Sequence, residues 1–317
     1  MILPHKKGSI MKKLVFFTIL LLFTQIIKAA EVLPVQMPVE VTDSLIDTAV
    51  SDPEVKDLKW LRWTSDSFVV CSLNDEQAQY LVANLENIKK WIYTRWGFDN
   101  FDFTTECRLI CVDDPALFEK CFGLKESKVE VKYNDKKKPE LYVIFYLLDK
   151  KPSQTIPVPL TKICLDNLDQ IYDIKSPFWS VSGMSQLNRT IPDIVANFEN
   201  IDQHFREEKA MYFTESVTKM TADQYKELDA ATKKLYDENS MAFCLFLRKK
   251  YGQNKFHRFY WHCAKGNNPQ LGLFEIYGFK NYDHADSFFK DFLKETSEGV
   301  RSGEIRRNYL QVSNSSD

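Results

Sequence analysis

Four histidines follow residue 30, His204, His257, His262 and His284, and none stands four positions from another in a His-x-x-x-His pair. A zinc site of that kind needs two imidazoles on one helical face. His257 and His262 are five apart, about 140° around a helix, and cannot chelate one ion from one face. "GMSQL" at 183–187 is half of a nucleophile elbow: Ser185 stands at the nucleophile, but Leu187 replaces the second glycine and no strand precedes it. "SVTK" at 216–219 pairs a serine with a lysine three residues on, without the companion motifs of the enzymes that use this pair. Both read as chance matches. In "CVDDP" at 111–115, Asp113 and Asp114 end a strand, where a helix N-cap accounts for them. Asn188-Arg189-Thr190 has the form of a glycosylation acceptor, which has meaning only in a eukaryotic secretory route.

The seven cysteines are Cys71, Cys107, Cys111, Cys121, Cys164, Cys244 and Cys263, an odd number that leaves a thiol unpaired in a monomer. Most lie in apolar runs such as "FVVCSL" and "MAFCLFL" and read as small buried hydrophobes. Cys107 and Cys111 lie about 13 Å apart along one strand, too far for a mutual disulfide. No Cys-x-x-Cys occurs, which excludes a zinc ribbon or a thioredoxin-type site.

The elements that must position these residues fall into two halves. "SFVVCSL" and "CRLICVDD" have strand composition, "KVEVKY" alternates, and "ELYVIFYLLD" is apolar throughout, as a strand buried on both faces is. Between the first two, Asn74 is a helix N-cap, and apolar residues at 81, 85, 88, 92 and 96 mark one face of a long helix. "NDKKKPE" reads as a solvated hairpin turn, and Trp60, Trp63, Trp91 and Trp96 read as core anchors. From about residue 156 the period changes from two to 3.6. "DENSMAFCLFLRKKYG" is apolar nearly all round, a core helix with Gly252 at its C-cap. Two short helices, each closed by a glycine, precede a last helix with Ala285, Phe288, Phe289, Phe292 and Leu293 on one stripe. The fold class is therefore α+β: a small N-terminal mixed sheet with a long helix over 58–155, then a mainly helical half over 156–296. Residues 297–317 show no stripe and read as a mobile tail.

At 44% hydrophobic and 14% aromatic, a chain of 317 residues can bury a substantial core. Lys6, Lys7, Lys12 and Lys13, then an apolar run from Leu14 to Ile27, then Ala29 and Ala30, form the order of a secretory signal peptide over 1–30. Export follows, with the protein secreted or periplasmic in the cell envelope; an uncleaved anchor is the alternative, and the only membrane contact expected. Residues 31–57, with three prolines, read as a linker or N-terminal arm. Removing 1–30 takes five lysines and no acid, leaving 37 of 42 basic residues against 44 acidic, a net charge of −7. Mild acidity with no basic stripe excludes nucleic acid as a main partner.

The order of a strand, a long helix, further strands, "PFWSVSGMS" at 177–185 and "YDENSMAFCLFLRKKYGQNKFHRFYWHCAKGNNPQLGLFEIYGFKNYDHADSFFKDFL" resembles the peptidase-MA-like gluzincins, relatives of thermolysin. In that family an apolar helix ends in a Tyr-Gly pair, here Tyr251 and Gly252, followed by a short helix, a "YGF" turn and a terminal amphipathic helix. The likeness spans roughly residues 60–295, and only the order of its motifs is specific. It implies a zinc site built from His-Glu-x-x-His plus a carboxylate in a W-x-x-E-G-x-A setting. Here Trp179, Gly183 and Ser185 match that frame and Ser182 takes the carboxylate's place. "TKICL" then puts Thr161 and Leu165 at the two histidines and Lys162 at the general base. With ligands and base gone, the resemblance implies no cofactor, no metal and no metal-dependent hydrolysis. It implies a catalytically inactive peptidase-like protein that binds a peptide or protein in a metal-free cleft walled by Trp179, Gly183 and Ser185. The alternatives are a hydrolase using Ser182 or Ser185, and a structural envelope module.

Overall fold

In the N-terminal half, period-two alternation sorts the apolar residues onto the two faces of one sheet. The computed structural model describes residues 58–134, 139–148, 152–207 and 211–303, with the short strand Val39–Glu40. The signal segment, the remainder of the 31–57 arm, the centre of the hairpin turn at 135–138 and the tail from 304 lie outside the described residues.

Among the described residues six strands form one mixed sheet: β1 (Val39–Glu40), β2 (Leu61–Thr64), β3 (Phe68–Ser72), β4 (Glu106–Val112), β5 (Lys128–Tyr133) and β6 (Pro139–Leu147). Their order is β1-β2-β3-β4-β6-β5. β3, β4 and β6 run parallel, and β2 and β5 flank them antiparallel. The register lines up Trp63, Val70, Leu109, Ile144 and Val129 across the sheet, and this row faces the larger apolar cluster. Cys71, Ile110 and Phe145, one residue along, face a smaller cluster on the other side.

Helix α1 (Asp75–Trp96) covers the first face. Its expected stripe, Leu81, Leu85, Ile88, Ile92 and Trp96, is buried, and the Gln77 N–H donates to Asn74 Oδ1 at 3.2 Å as the cap requires. Gly97 ends it with a φ of 74°. Trp91 departs from expectation: it is 41% exposed and lies under the Arg95 guanidinium at 4.8 Å. Position 91 points away from the stripe, so its ring serves a cation and not the core. Helix α2 (Pro115–Phe122) covers the second face through Phe118 and Cys121. Asp114 accepts from the Leu117 N–H at 2.7 Å and Asp113 from Gln77 Nε2 at 2.7 Å, so the acidic pair is a cap and a tether.

The helical half comprises α3 (Pro152–Thr155), α4 (Pro157–Tyr172), α5 (Phe178–Leu187), α6 (Ile191–Arg206), α7 (Thr214–Lys219), α8 (Ala222–Lys226) and α9 (Ala230–Tyr251). After these come α10 (Gln253–Ala264), α11 (Pro269–Gly272), a π turn (Leu273–Tyr277) and α12 (Tyr282–Ser302). Residues 238–248 of α9 are all buried, the central helix expected of an apolar run. The larger cluster runs from Trp63 to Leu293, so sheet and helices share one core. Helix α12 extends through 297–302, with Thr296, Ser297 and Gly299 buried, where a tail was expected to begin. Small polar residues continue the stripe there, and an apolar pattern does not register them. The seven cysteines form no disulfide, and six are buried. Among the described residues no helix is long and apolar enough to cross a membrane.

Candidate binding groove

Of the four positions assigned to a former zinc site, Thr161, Leu165 and Ser182 are buried and Lys162 is exposed. Thr161, on α4, donates to the Pro157 carbonyl at 2.6 Å and accepts from Asn188 Nδ2 at 2.6 Å. Leu165 sits in the apolar core. Ser182, on α5, donates to Asp237 Oδ1 at 2.6 Å, and the other oxygen of Asp237 accepts from Tyr225 at 2.9 Å. Lys162 is exposed on the outer side of α4. These side chains do not fit a zinc ion: two hydroxyls already bonded, one alkyl chain and one ammonium supply no ligand set. Among the described residues no group of three or more His, Cys, Asp and Glu could hold a metal ion.

Trp179, Gly183 and Ser185 are core and not a cleft wall. Trp179 packs against Phe243 and Phe259, each at 5.5 Å between ring centroids. A Cβ on Gly183 would lie 2.4 Å from the Ser240 carbonyl oxygen and 2.5 Å from Cys244 Sγ, so the glycine is where α5 touches the backbone of α9. The Ser185 hydroxyl is buried without a hydrogen-bond partner. The frame that matched the family motif is here the seam between two helices. In "SVTK", Ser216 donates to the Phe213 carbonyl and Lys219 pairs with Glu215 at 2.6 Å, an ordinary helix start. Asn188 is 3% exposed and holds Thr161, which closes it to glycosylation.

A groove of about 690 Å³ opens between the β5–β6 end of the sheet and helices α3, α4 and the start of α6. Ile144 and Tyr146 of β6 and Val129 of β5 form its apolar floor. Residues 125–128 form one bank, and α3, α4 and the corner at 189–193 form the other. The structure locks both banks. Tyr146 and Thr155 share a hydrogen bond of 2.5 Å, the Leu147 N–H donates to Ser127 Oγ at 3.0 Å, and Thr190 caps α6. Among the described residues β5 is the sheet edge, with β6 its one strand partner, and half of its backbone groups have no strand there to bond. Lys162 lines the groove, so of the four predicted positions this one faces open space. Sequence reasoning missed Arg189 and the 125–129 bank. The groove gathers short segments far apart in the chain, and none carries a motif.

Toward its C-terminal end, α4 joins a polar chain. Tyr260 and Ser176 hydroxyls meet at 2.6 Å, and Asp169 accepts from both the N–H and the hydroxyl of Ser176, at 2.8 and 2.6 Å. Burial pushes the Asp169 carboxyl up from 3.8 to about 6, against the opposing pull of those Ser176 bonds and Lys175. Burial likewise raises Asp166, which accepts from Tyr142. A carboxyl raised in the folded state binds its proton more tightly there than in the unfolded chain. Its stabilising share is present below 3.8 and is lost as pH rises through about 6. Asp169→Asn should therefore flatten that part of the stability profile, measured as the denaturation midpoint of variant against wild type across this window. Parallel profiles would contradict it.

No family model matches the chain, and no curated protein matches it.

Proposed function

We propose that the chain is an exported binder of an extended peptide or protein segment, held without cleavage in the groove between β5 and α4. One juxtaposition carries the reading: the backbone edge of β5, without a strand partner on that side among the described residues, beside an apolar floor with charged rims. An edge strand offers main-chain hydrogen bonds to any extended chain laid along it, and flanking pockets take alternate side chains. The dimensions suit it, since a groove of this volume takes several residues.

The absence of cleavage rests on chemistry. Lys162 brings an ammonium to the groove in the place the family resemblance gives a general base, and the residues around it do not fit a metal. A serine route has one supporting observation, the Ser182 hydroxyl on Asp237, but Ser182 is 6% exposed and is not among the residues lining the groove. A nucleophile needs room for an acyl group, and this one has helix α9 against it. The test is hydrogen exchange of the full chain with and without short extended peptides: amides of 127–131 should slow, and the peptides should be recovered at unchanged mass.

A further inference from the structure

We infer that the segment this groove takes is acidic, and that its carboxylates meet Lys162 and Arg189. The inference rests on the groove being a peptide site and names the chemistry of its ligand. Lys162 and Arg189 are exposed, both line the groove, and neither has a carboxylate at ion-pair distance among the described residues. Their placement is fixed from beneath. Thr161 and Asn188, the residues just before them, are buried and hydrogen-bonded at 2.6 Å, so α4 and the α5–α6 corner are pinned together there. The two cations therefore line the same bank of the groove by construction of the fold.

The lining carries Lys125, Lys128, Lys162 and Arg189 against Glu126 and Asp193. Asp193 is engaged at the start of α6, where the Thr190 hydroxyl donates to it at 2.7 Å and its own N–H reaches back to Thr190. Lys128 is paired with Glu130 at 2.7 Å and Lys125 with Glu119 at 3.6 Å, which leaves Lys162 and Arg189 as the lining cations without a carboxylate at ion-pair distance among the described residues. These four lining cations lie on a chain that is acidic as a whole, with 44 acidic against 42 basic residues. Two exposed cations without ion-pair partners on one bank favour an anionic ligand. An acidic β-strand satisfies both features at once: backbone to the β5 edge, carboxylates to the cations on the facing bank.

The experiment uses the full chain and three labelled peptides that alternate threonine with glutamate, with glutamine or with lysine, read by fluorescence anisotropy at low ionic strength. The glutamate peptide should bind about tenfold more tightly than the glutamine peptide, with the lysine peptide weakest and the preference fading as salt rises. Lys162→Gln with Arg189→Gln should make the glutamate and glutamine peptides equal. Lys162→Glu with Arg189→Glu should reverse the order, at an unchanged melting temperature because both side chains are exposed. Binding of all three peptides alike, indifferent to the charge reversal, would overturn the acidic ligand and leave the groove intact. Binding of none would overturn the groove itself. Oligothymidylate competing with the same sensitivity to the two variants would assign the pair to a phosphate backbone and overturn the inference.

Discussion

Gly183→Ala should destabilise the protein by about 3 kcal/mol, the upper part of what overpacking a core costs. The added methyl would lie 2.4 Å from a backbone oxygen of Ser240 and 2.8 Å from its carbonyl carbon, distances that no rotamer change relieves. Helix α5 would have to withdraw from α9, and residues 238–248 of α9 are buried on every side. Removing the Cys244 sulfur, 2.5 Å from the same point, leaves the backbone clash in place, so the double variant with Cys244→Ala should remain destabilised. Denaturant titration followed by circular dichroism measures both. Wild-type stability in Gly183→Ala would show that the two helices can slide apart, and that the seam is looser than its geometry.

Trp179→Ala should cost about 3–5 kcal/mol, the range for removing a fully buried indole. Trp179 has no exposed surface and stacks on Phe259 while meeting Phe243 and Phe256 edge-on. Its ring joins three helices, α5, α9 and α10, so the cavity left behind has no single neighbour able to fill it. The indole N–H has no hydrogen-bond partner. Trp179→Phe should therefore be much milder than Trp179→Ala, since it keeps the stacking and removes a buried donor that nothing satisfies. Equal losses for the two would show that the indole nitrogen matters, and that the site is polar where it looks apolar.

These two variants bear on what could be read from the sequence alone. The stripe of α1, the all-apolar α9 and the parallel and edge strands follow directly from periodicity, because burial on one or both faces writes itself into residue type. Three features did not. β2 is four residues long, too short for an alternation to register. The end of α12 is carried by Thr296, Ser297 and Gly299, which are buried for their small size and not for apolarity. Trp91 belongs to the exposed face of α1 although tryptophan as a type favours the core.

The site was legible in part. The frame of Trp179 and Gly183 does mark a special position, since a glycine held between a large ring and a facing helix is a close-contact signal. Its meaning is packing, and the spacing of a motif cannot tell packing from a metal frame. Lys162 was singled out for occupying the place of a base, and it is the one of those four positions that reaches open space. Arg189, Val129 and Tyr146 carry no signal of their own. They become a site through the sheet order β4-β6-β5 and the Thr161–Asn188 bond, both of which are tertiary facts.

Hydrogen exchange of the full chain, with and without the threonine–glutamate peptide, tests the groove most directly. Slower exchange confined to amides 127–131 and to the facing bank around Lys162 and Arg189, with the peptide recovered intact, is the expected result. Unchanged exchange along β5 while the peptide is bound, or a cleaved peptide, would contradict a non-cleaving site at this edge.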